Sequence, residues 1–210
     1  MTELLYFANP MCSWCWGFAP SLRALRERHP DLPVTVATGT LGAERARPMT
    51  EADRAQVREH WRKVQARSGQ PFDFAFFERR DFVYDTEPPC RALALLRHRY
   101  PALTAAFLDR LQELFYAHNE DITSTTTLRR ACGEFGIPAA EFDAAFGAPE
   151  LAQEVAREWA QTARLGVTGY PTLLALAGGR AHVLTVGWCD PGELERRFTA
   201  FGQERRPAAP

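Results

Sequence analysis

The chain has 210 residues, enough for one large domain or a compact domain carrying a smaller one. Hydrophobic residues make up 46%, which supports a full core and excludes a disordered tail. Lys and Arg number 25 against 26 Asp and Glu, so at a net charge of −1 no global basic field favours nucleic acid.

No apolar run reaches the length of about 18 residues that a membrane span needs. Met1 to Pro10 lacks the basic start and long apolar stretch of a secretory signal, so the expected location is the cytoplasm. Five cysteines are too few and too scattered for a disulfide-stapled scaffold, and their odd number leaves at least one thiol free.

Leu4 to Ala8 is an apolar run closed by Asn9-Pro10, a buried strand and a turn. From Trp14 on, Phe18, Leu22 and Leu25 recur at helical spacing, with Pro20 inside the helix to kink it. Val34 to Ala37 is a second strand of β-branched character. This strand–helix–strand crossover is long enough for parallel pairing.

From Thr50 the pattern turns helical. Thr50 with Asp53 resembles a capping box, and the segment runs to Arg67 before Ser68-Gly69-Gln70-Pro71 stops it. Phe72 to Phe77 is ambiguous between a strand and a packed loop. Further helices follow from Thr86 to Tyr100, Ala102 to His118, Ser124 or Thr125 to Phe135, Glu141 to Phe146, and Glu150 to Leu165. Thr172 to Leu176 is a strand, Gly178-Gly179 a hairpin signal, and Ala181 to Val186 its antiparallel partner. Asp190-Pro191-Gly192-Glu193 caps a last helix to Phe201. The order βαβ, helical block, ββα predicts a four-stranded mixed sheet with helices on both faces, the block lying at one edge or end.

Cys12-Ser13-Trp14-Cys15 stands at the junction of the first strand and helix. Three readings compete: two accidental cysteines, half of a zinc site, or a redox pair. Tetrahedral zinc needs further paired ligands, but Cys90, Cys132 and Cys189 stand alone and the histidines show no paired spacing, so no metal site is expected. The physics favours the redox pair. A turn at a helix start can close a disulfide and aim its first sulfur at solvent. Free N–H groups of the first turn favour a thiolate at Cys12. Cys15, one turn in, should be more buried and resolve a mixed disulfide from within. Trp14 is a candidate apolar wall for a partner, Phe18 reads as core, and Gly17 allows a close approach by another segment. Cys90, Cys132 and Cys189 are expected to be inert. Pro171, read alone, is a simple strand-entry proline.

Together, Cys12-Ser13-Trp14-Cys15 after a short strand, Pro20, and Thr168-Gly169-Tyr170-Pro171-Thr172 before a late strand resemble the thioredoxin superfamily. The helical insert resembles its DsbA branch. The run Met11 to Phe18, with Asn119-Glu120-Asp121-Ile122, Leu128 and Phe135-Gly136-Ile137, looks most like the cytoplasmic FrnE-like group of candidate disulfide isomerases. The resemblance implies an α/β thioredoxin-like fold with a large all-helical insertion. The sheet-forming halves would be 1–40 and 161–202, the insertion 41–160, and a frayed tail 203–210. It also implies a cis Pro171 facing the cysteine pair, with Tyr170 and Trp14 beside the substrate. Cys12 would be the nucleophile and Cys15 the resolving cysteine of a thiol-disulfide oxidoreductase acting on protein or small-molecule thiols and disulfides. No bound cofactor is implied, with glutathione a candidate co-substrate, and neither nucleic acid nor membrane is an expected partner. Tyr6 stands where DsbA carries a buried glutamate, and Ser13-Trp14 lacks its histidine, so a strongly oxidising pair is not expected. A glutathione-dependent isomerase of the 2-hydroxychromene-2-carboxylate type is the alternative. A redox-inactive, chaperone-like interaction protein is a third reading.

Overall fold

The structure is a computed structural model that describes residues 2–41 and 47–204. The elements follow the expected order. They are β1 (Thr2–Ala8), α1 (Ser13–Arg28), β2 (Val34–Thr38), α2 (Glu51–Ser68), α3 (Glu87–Arg99) and α4 (Thr104–Tyr116). Next come α5 (Thr125–Glu134), α6 (Ala139–Phe146), α7 (Pro149–Arg164), β3 (Thr172–Ala177), β4 (Arg180–Val186) and α8 (Pro191–Glu204). The sheet runs in the order β2-β1-β3-β4. β1 pairs parallel with β2 from Leu4↔Val34 to Ala8↔Thr38, and antiparallel with β3 from Thr2↔Ala177 to Phe7↔Thr172. β3 and β4 form the expected hairpin, with an irregularity at Leu173/Leu174.

Local chemistry accounts for the boundaries. Thr50 and Asp53 form a reciprocal capping box at the start of α2, and Gly69 ends that helix at φ 72°. Asp190 accepts from the Glu193 N–H at 2.8 Å where α8 begins. Ser124 takes the N-cap position of α5 without a side-chain cap bond. Gly178 and Gly179 carry φ of 60° and 72°, the backbone that a two-residue hairpin needs. The last helix extends to Glu204, so Gln203 and Glu204 are helical rather than frayed; 205–210 lie outside the described residues.

The ambiguous aromatic run becomes a 3-10 turn over Phe74–Glu78. The Asp73 carboxylate accepts from the Ala75 N–H and bends the chain there, which a strand would not allow. Its phenylalanines gather round Trp61 of α2. Six rings, from Phe72, Phe74, Phe76, Phe77, Phe115 and Tyr116, lie between 4.8 and 6.1 Å of it, centroid to centroid. This cluster is continuous with the core beneath β1 and α1.

Pro20 lacks the N–H that would reach the Trp16 carbonyl within α1. Gln70 Nε2 donates to that carbonyl instead, at 3.0 Å, and Trp188 Nε1 donates to the neighbouring Gly17 carbonyl at 2.9 Å. Gly17 permits the approach of α2 here, since a Cβ would stand 2.7 Å from Val64 Cγ1. Along β2, Arg97 donates to Val36 O, Glu158 accepts from Thr38 N, and Thr162 donates to Thr38 O. Arg97 also grips Glu158 with both guanidinium nitrogens, at 2.7 and 3.1 Å. Side chains of α3 and α7 thus take the Val36 and Thr38 carbonyls and the Thr38 amide along the outer edge of β2.

Candidate active site

β1 delivers the chain into a buried turn held by Asn9. Its carbonyl accepts from Cys12 N at 3.0 Å and its Oδ1 from Met11 N at 2.8 Å. Its Nδ2 donates to Gly39 O at 2.9 Å and reaches Cys90 Sγ at 3.6 Å. From the other side, the Tyr84 hydroxyl donates to Met11 O at 2.6 Å. Cys12 is the N-cap of α1 in extended conformation, and Cys15 lies in the first turn.

The Tyr170-Pro171 peptide bond is cis, as the resemblance implied. The Cys12 thiol donates to Tyr170 O at 3.6 Å, which brings the late loop onto the cysteine turn. The Tyr170 ring is seated over Gly39, where a Cβ would stand 1.7 Å from its hydroxyl. The contacts form a closed ring: Asn9 to Gly39, Gly39 to Tyr170, Tyr170 to Cys12, and Cys12 back to Asn9.

Cys12 is 9% exposed, so its sulfur lies at the floor of a cleft rather than aimed at open solvent. Tyr170 and α2 close around it. The cleft has a volume of about 270 Å³ and is lined by Trp14, Leu41, Gln56, Val57, His60 and Tyr84. A wider hollow of about 750 Å³ lies elsewhere, around Glu3, Asp31 and Arg180, and holds none of these residues. Cys15 is fully buried.

The two thiols are pushed in opposite directions. A hydrogen bond from the Cys15 thiol draws Cys12 below the usual thiol range; burial opposes this, and the N–H groups of Cys15 and Trp14 assist it. Burial raises Cys15 well above that range, and its bond to Cys12 and the charge there raise it further. Both are unbridged thiols. Cys90, Cys132 and Cys189 are buried, and burial pushes all three up, Cys132 to about 12.

The resemblance implied that Cys12, Cys15, Trp14, Tyr170 and Pro171 share one site, and the fold brings the Tyr170-Pro171 loop onto the turn that carries the other three. Sequence reading missed Asn9, Gly39 and Tyr84. Asn9-Pro10 signalled a turn without revealing that the amide holds three segments together, its own turn, Gly39 and Cys90. Gly39 and Tyr84 carry no local pattern.

A four-stranded mixed sheet, a thiol pair at the first helix start and a cis proline before β3 define a thioredoxin-fold protein of redox type. The sequence matches the DSBA-like thioredoxin domain over residues 3–198, and the chain belongs to that family. It is similar to a candidate protein disulfide isomerase from Nitrosomonas europaea, 30% identical, with a TM-score of 0.89 covering 98% of this chain and 99% of that one. Cytosolic disulfide reductase DsbM from Pseudomonas aeruginosa is 28% identical with a TM-score of 0.77, over 97% and 98% of the two chains. The same reductase with GSH aligns at a TM-score of 0.76 and 26% identity, over 97% and 100%. Among curated proteins, the ClpXP adapter protein SpxH of Halalkalibacterium halodurans is 22% identical over 177 residues. That match takes in 82% of this chain and spans 58% of the length of that relative. A 2-hydroxychromene-2-carboxylate isomerase shares the fold at a TM-score of 0.64 and 11% identity. Among the described residues no helix is long and apolar enough to cross a membrane.

Proposed function

We propose that the protein is a thiol-disulfide oxidoreductase that reduces disulfides of small thiols or extended peptides. One observation carries this: a single turn holds one ionisable sulfur at the floor of a cleft and a second, sealed sulfur directly behind it. Cys12 as thiolate attacks the substrate disulfide, forms a mixed disulfide and expels one substrate thiolate. Cys15 then loses its proton and attacks the Cys12 sulfur. The second substrate thiol leaves, and the pair becomes a disulfide. Two molecules of a small thiol of the glutathione type return the pair to dithiols and leave as a disulfide. The reductase solved with GSH supports that choice, and it suits a reducing compartment such as the cytoplasm.

Trp14 supplies an apolar wall of the cleft. The Tyr170-Pro171 loop, whose carbonyl already reaches the Cys12 sulfur, presents backbone groups to an extended substrate. Two substitutions test the reading. Cys12→Ser is expected to abolish reduction of a glutathione mixed disulfide. Cys15→Ser is expected to accumulate a covalent adduct at Cys12, visible by intact mass. Unchanged turnover in Cys15→Ser would instead indicate a one-thiol, glutathione-dependent isomerase.

A further inference from the structure

Among the described residues the cysteine pair has no charged side chain as a hydrogen-bond partner. It is surrounded by phenols. Tyr6, Tyr116 and Tyr170 each respond electrostatically to both sulfurs. Tyr6 stands apart. It rises from the middle of β1, is 2% exposed, and its ring packs against Phe18 of α1 at 5.8 Å. Its hydroxyl is buried and has no hydrogen-bond partner of ordinary geometry. A buried hydroxyl without a partner costs stability, so its retention in an otherwise apolar strand needs a reason. Phe18 lies one turn on from Cys15, so Tyr6 packs against the face of α1 that carries the Cys15 thiol, and the three share one buried cluster.

We propose that Tyr6 is a positioning residue for the resolving step, its hydroxyl donating to the Cys15 sulfur as that sulfur ionises. This rests on the disulfide-exchange reading and assigns its second half. In the mixed disulfide the thiolate of Cys12 is gone, consumed in the S–S bond. Cys15 then has to give up its proton in a sealed site, with no cation among the described residues bonded to it. The proton passes to the departing substrate thiolate or to water in the cleft. The O–H of Tyr6 stays on its oxygen and turns toward the new charge. The Cys15 thiolate attacks the Cys12 sulfur, the Cys12–substrate bond breaks, and the electron pair leaves on the substrate sulfur. Tyr6 never ionises, because burial and the sulfurs hold its phenol well above its ordinary range. Among the described residues, the titratable groups that act on Tyr6 are Cys12 at the N-cap of α1, Cys15 within it, and Asp109 from α4, which pairs with Arg23.

A hydrogen bond to the charged form lowers the pKa of the group that carries the charge. Its loss therefore raises the pH at which Cys15 becomes nucleophilic. Tyr6→Phe removes the hydroxyl and leaves the ring. Stopped-flow mixing of the reduced protein with a fluorescent glutathione disulfide separates adduct formation at Cys12 from release by Cys15. Release in Tyr6→Phe is expected to slow about tenfold, with its pH midpoint moved up by about one unit. Adduct formation should match the unmodified protein, and the melting temperature should be equal or higher, since the variant no longer buries an unpartnered hydroxyl. Release at the original rate and midpoint would overturn the assignment while leaving disulfide exchange intact. Equal slowing of both steps would also overturn it, as a packing defect. Absence of any adduct in the unmodified protein would overturn the exchange reading, and this assignment with it.

Discussion

Asp109 shows how burial sets the behaviour of one side chain. It lies on α4, 23% exposed at the side chain, 3.6 Å from Arg23. Burial raises its carboxyl to about 6, with Arg23 and Arg26 pulling the other way. The folded state therefore binds this proton more tightly than the unfolded chain, where a carboxyl titrates near pH 4. The stabilisation from that proton is full below about pH 4 and is lost as the pH rises through about 6. Asp109→Asn is expected to raise stability by about 1–3 kcal/mol at about pH 7.5, and by about half as much at about pH 5. Loss of the half-exposed Arg23 pair offsets only a small part. Denaturant titrations at the two pH values check this, and a gain of equal size at both would refute it. At this scale the sequence made Cys12 and Cys15 legible, because reactive residue types at a fixed spacing carry their own signal. It could not show the roles proposed for Tyr6 or Asp109. A hydroxyl in an apolar strand and a carboxylate in an amphipathic helix look ordinary until neighbours from other elements surround them.

Between elements, the late loop is held against the cysteine turn by size exclusion as much as by hydrogen bonds. Gly39 follows β2 and leaves the space that the Tyr170 ring fills. In Gly39→Ala the new methyl would coincide with that ring, so the ring and its loop must shift. Formation of the Cys12 adduct is expected to slow by about ten- to a hundredfold, since small misplacements of reacting groups cost that much. Release by Cys15 should change far less, because Asn9 still holds the cysteine turn. The same stopped-flow separation reads both steps, and an unchanged first step would defeat the idea. Elements bounded by caps were the legible ones. The capping box at Thr50 and the glycine pair at 178–179 announce themselves through side chains that only those backbone states favour. The 72–77 segment did not, because its phenylalanines are placed by Trp61 rather than by any period of their own.

Across the whole molecule, the helical insertion and the sheet share one core. Buried residues run without a break from Leu4 and Leu173 of the sheet through Phe18 to Trp61, Phe115 and Phe142. The sequence order placed the helices between the two halves of the sheet. It did not show that their aromatic side chains would join the sheet's core, which depends on contacts between distant segments. Trp61→Ala should therefore cost about 3–5 kcal/mol. Sheet and helices should still melt together in a single transition, seen at the same midpoint by far-ultraviolet dichroism and tryptophan fluorescence. Two separated transitions would mean that the insertion is an independent folding unit.

The unequal treatment of the two sheet edges bears on how copies of the chain can associate. One edge, β2, already gives its Val36 and Thr38 carbonyls and its Thr38 amide to Arg97, Thr162 and Glu158. The other, β4, has Arg197 on the Leu184 carbonyl but leaves Val183 and Val186 exposed. Growth of a fibre by strand addition needs two open edges on every copy, one to receive and one to offer. In the described residues α3 and α7 stand across the C-terminal half of β2, which leaves β4 the more open edge. Two copies meeting through β4 would do so about a twofold axis, and the pair would then present only its β2 edges, each crossed by α3 and α7, which favours strand pairing that stops at a dimer.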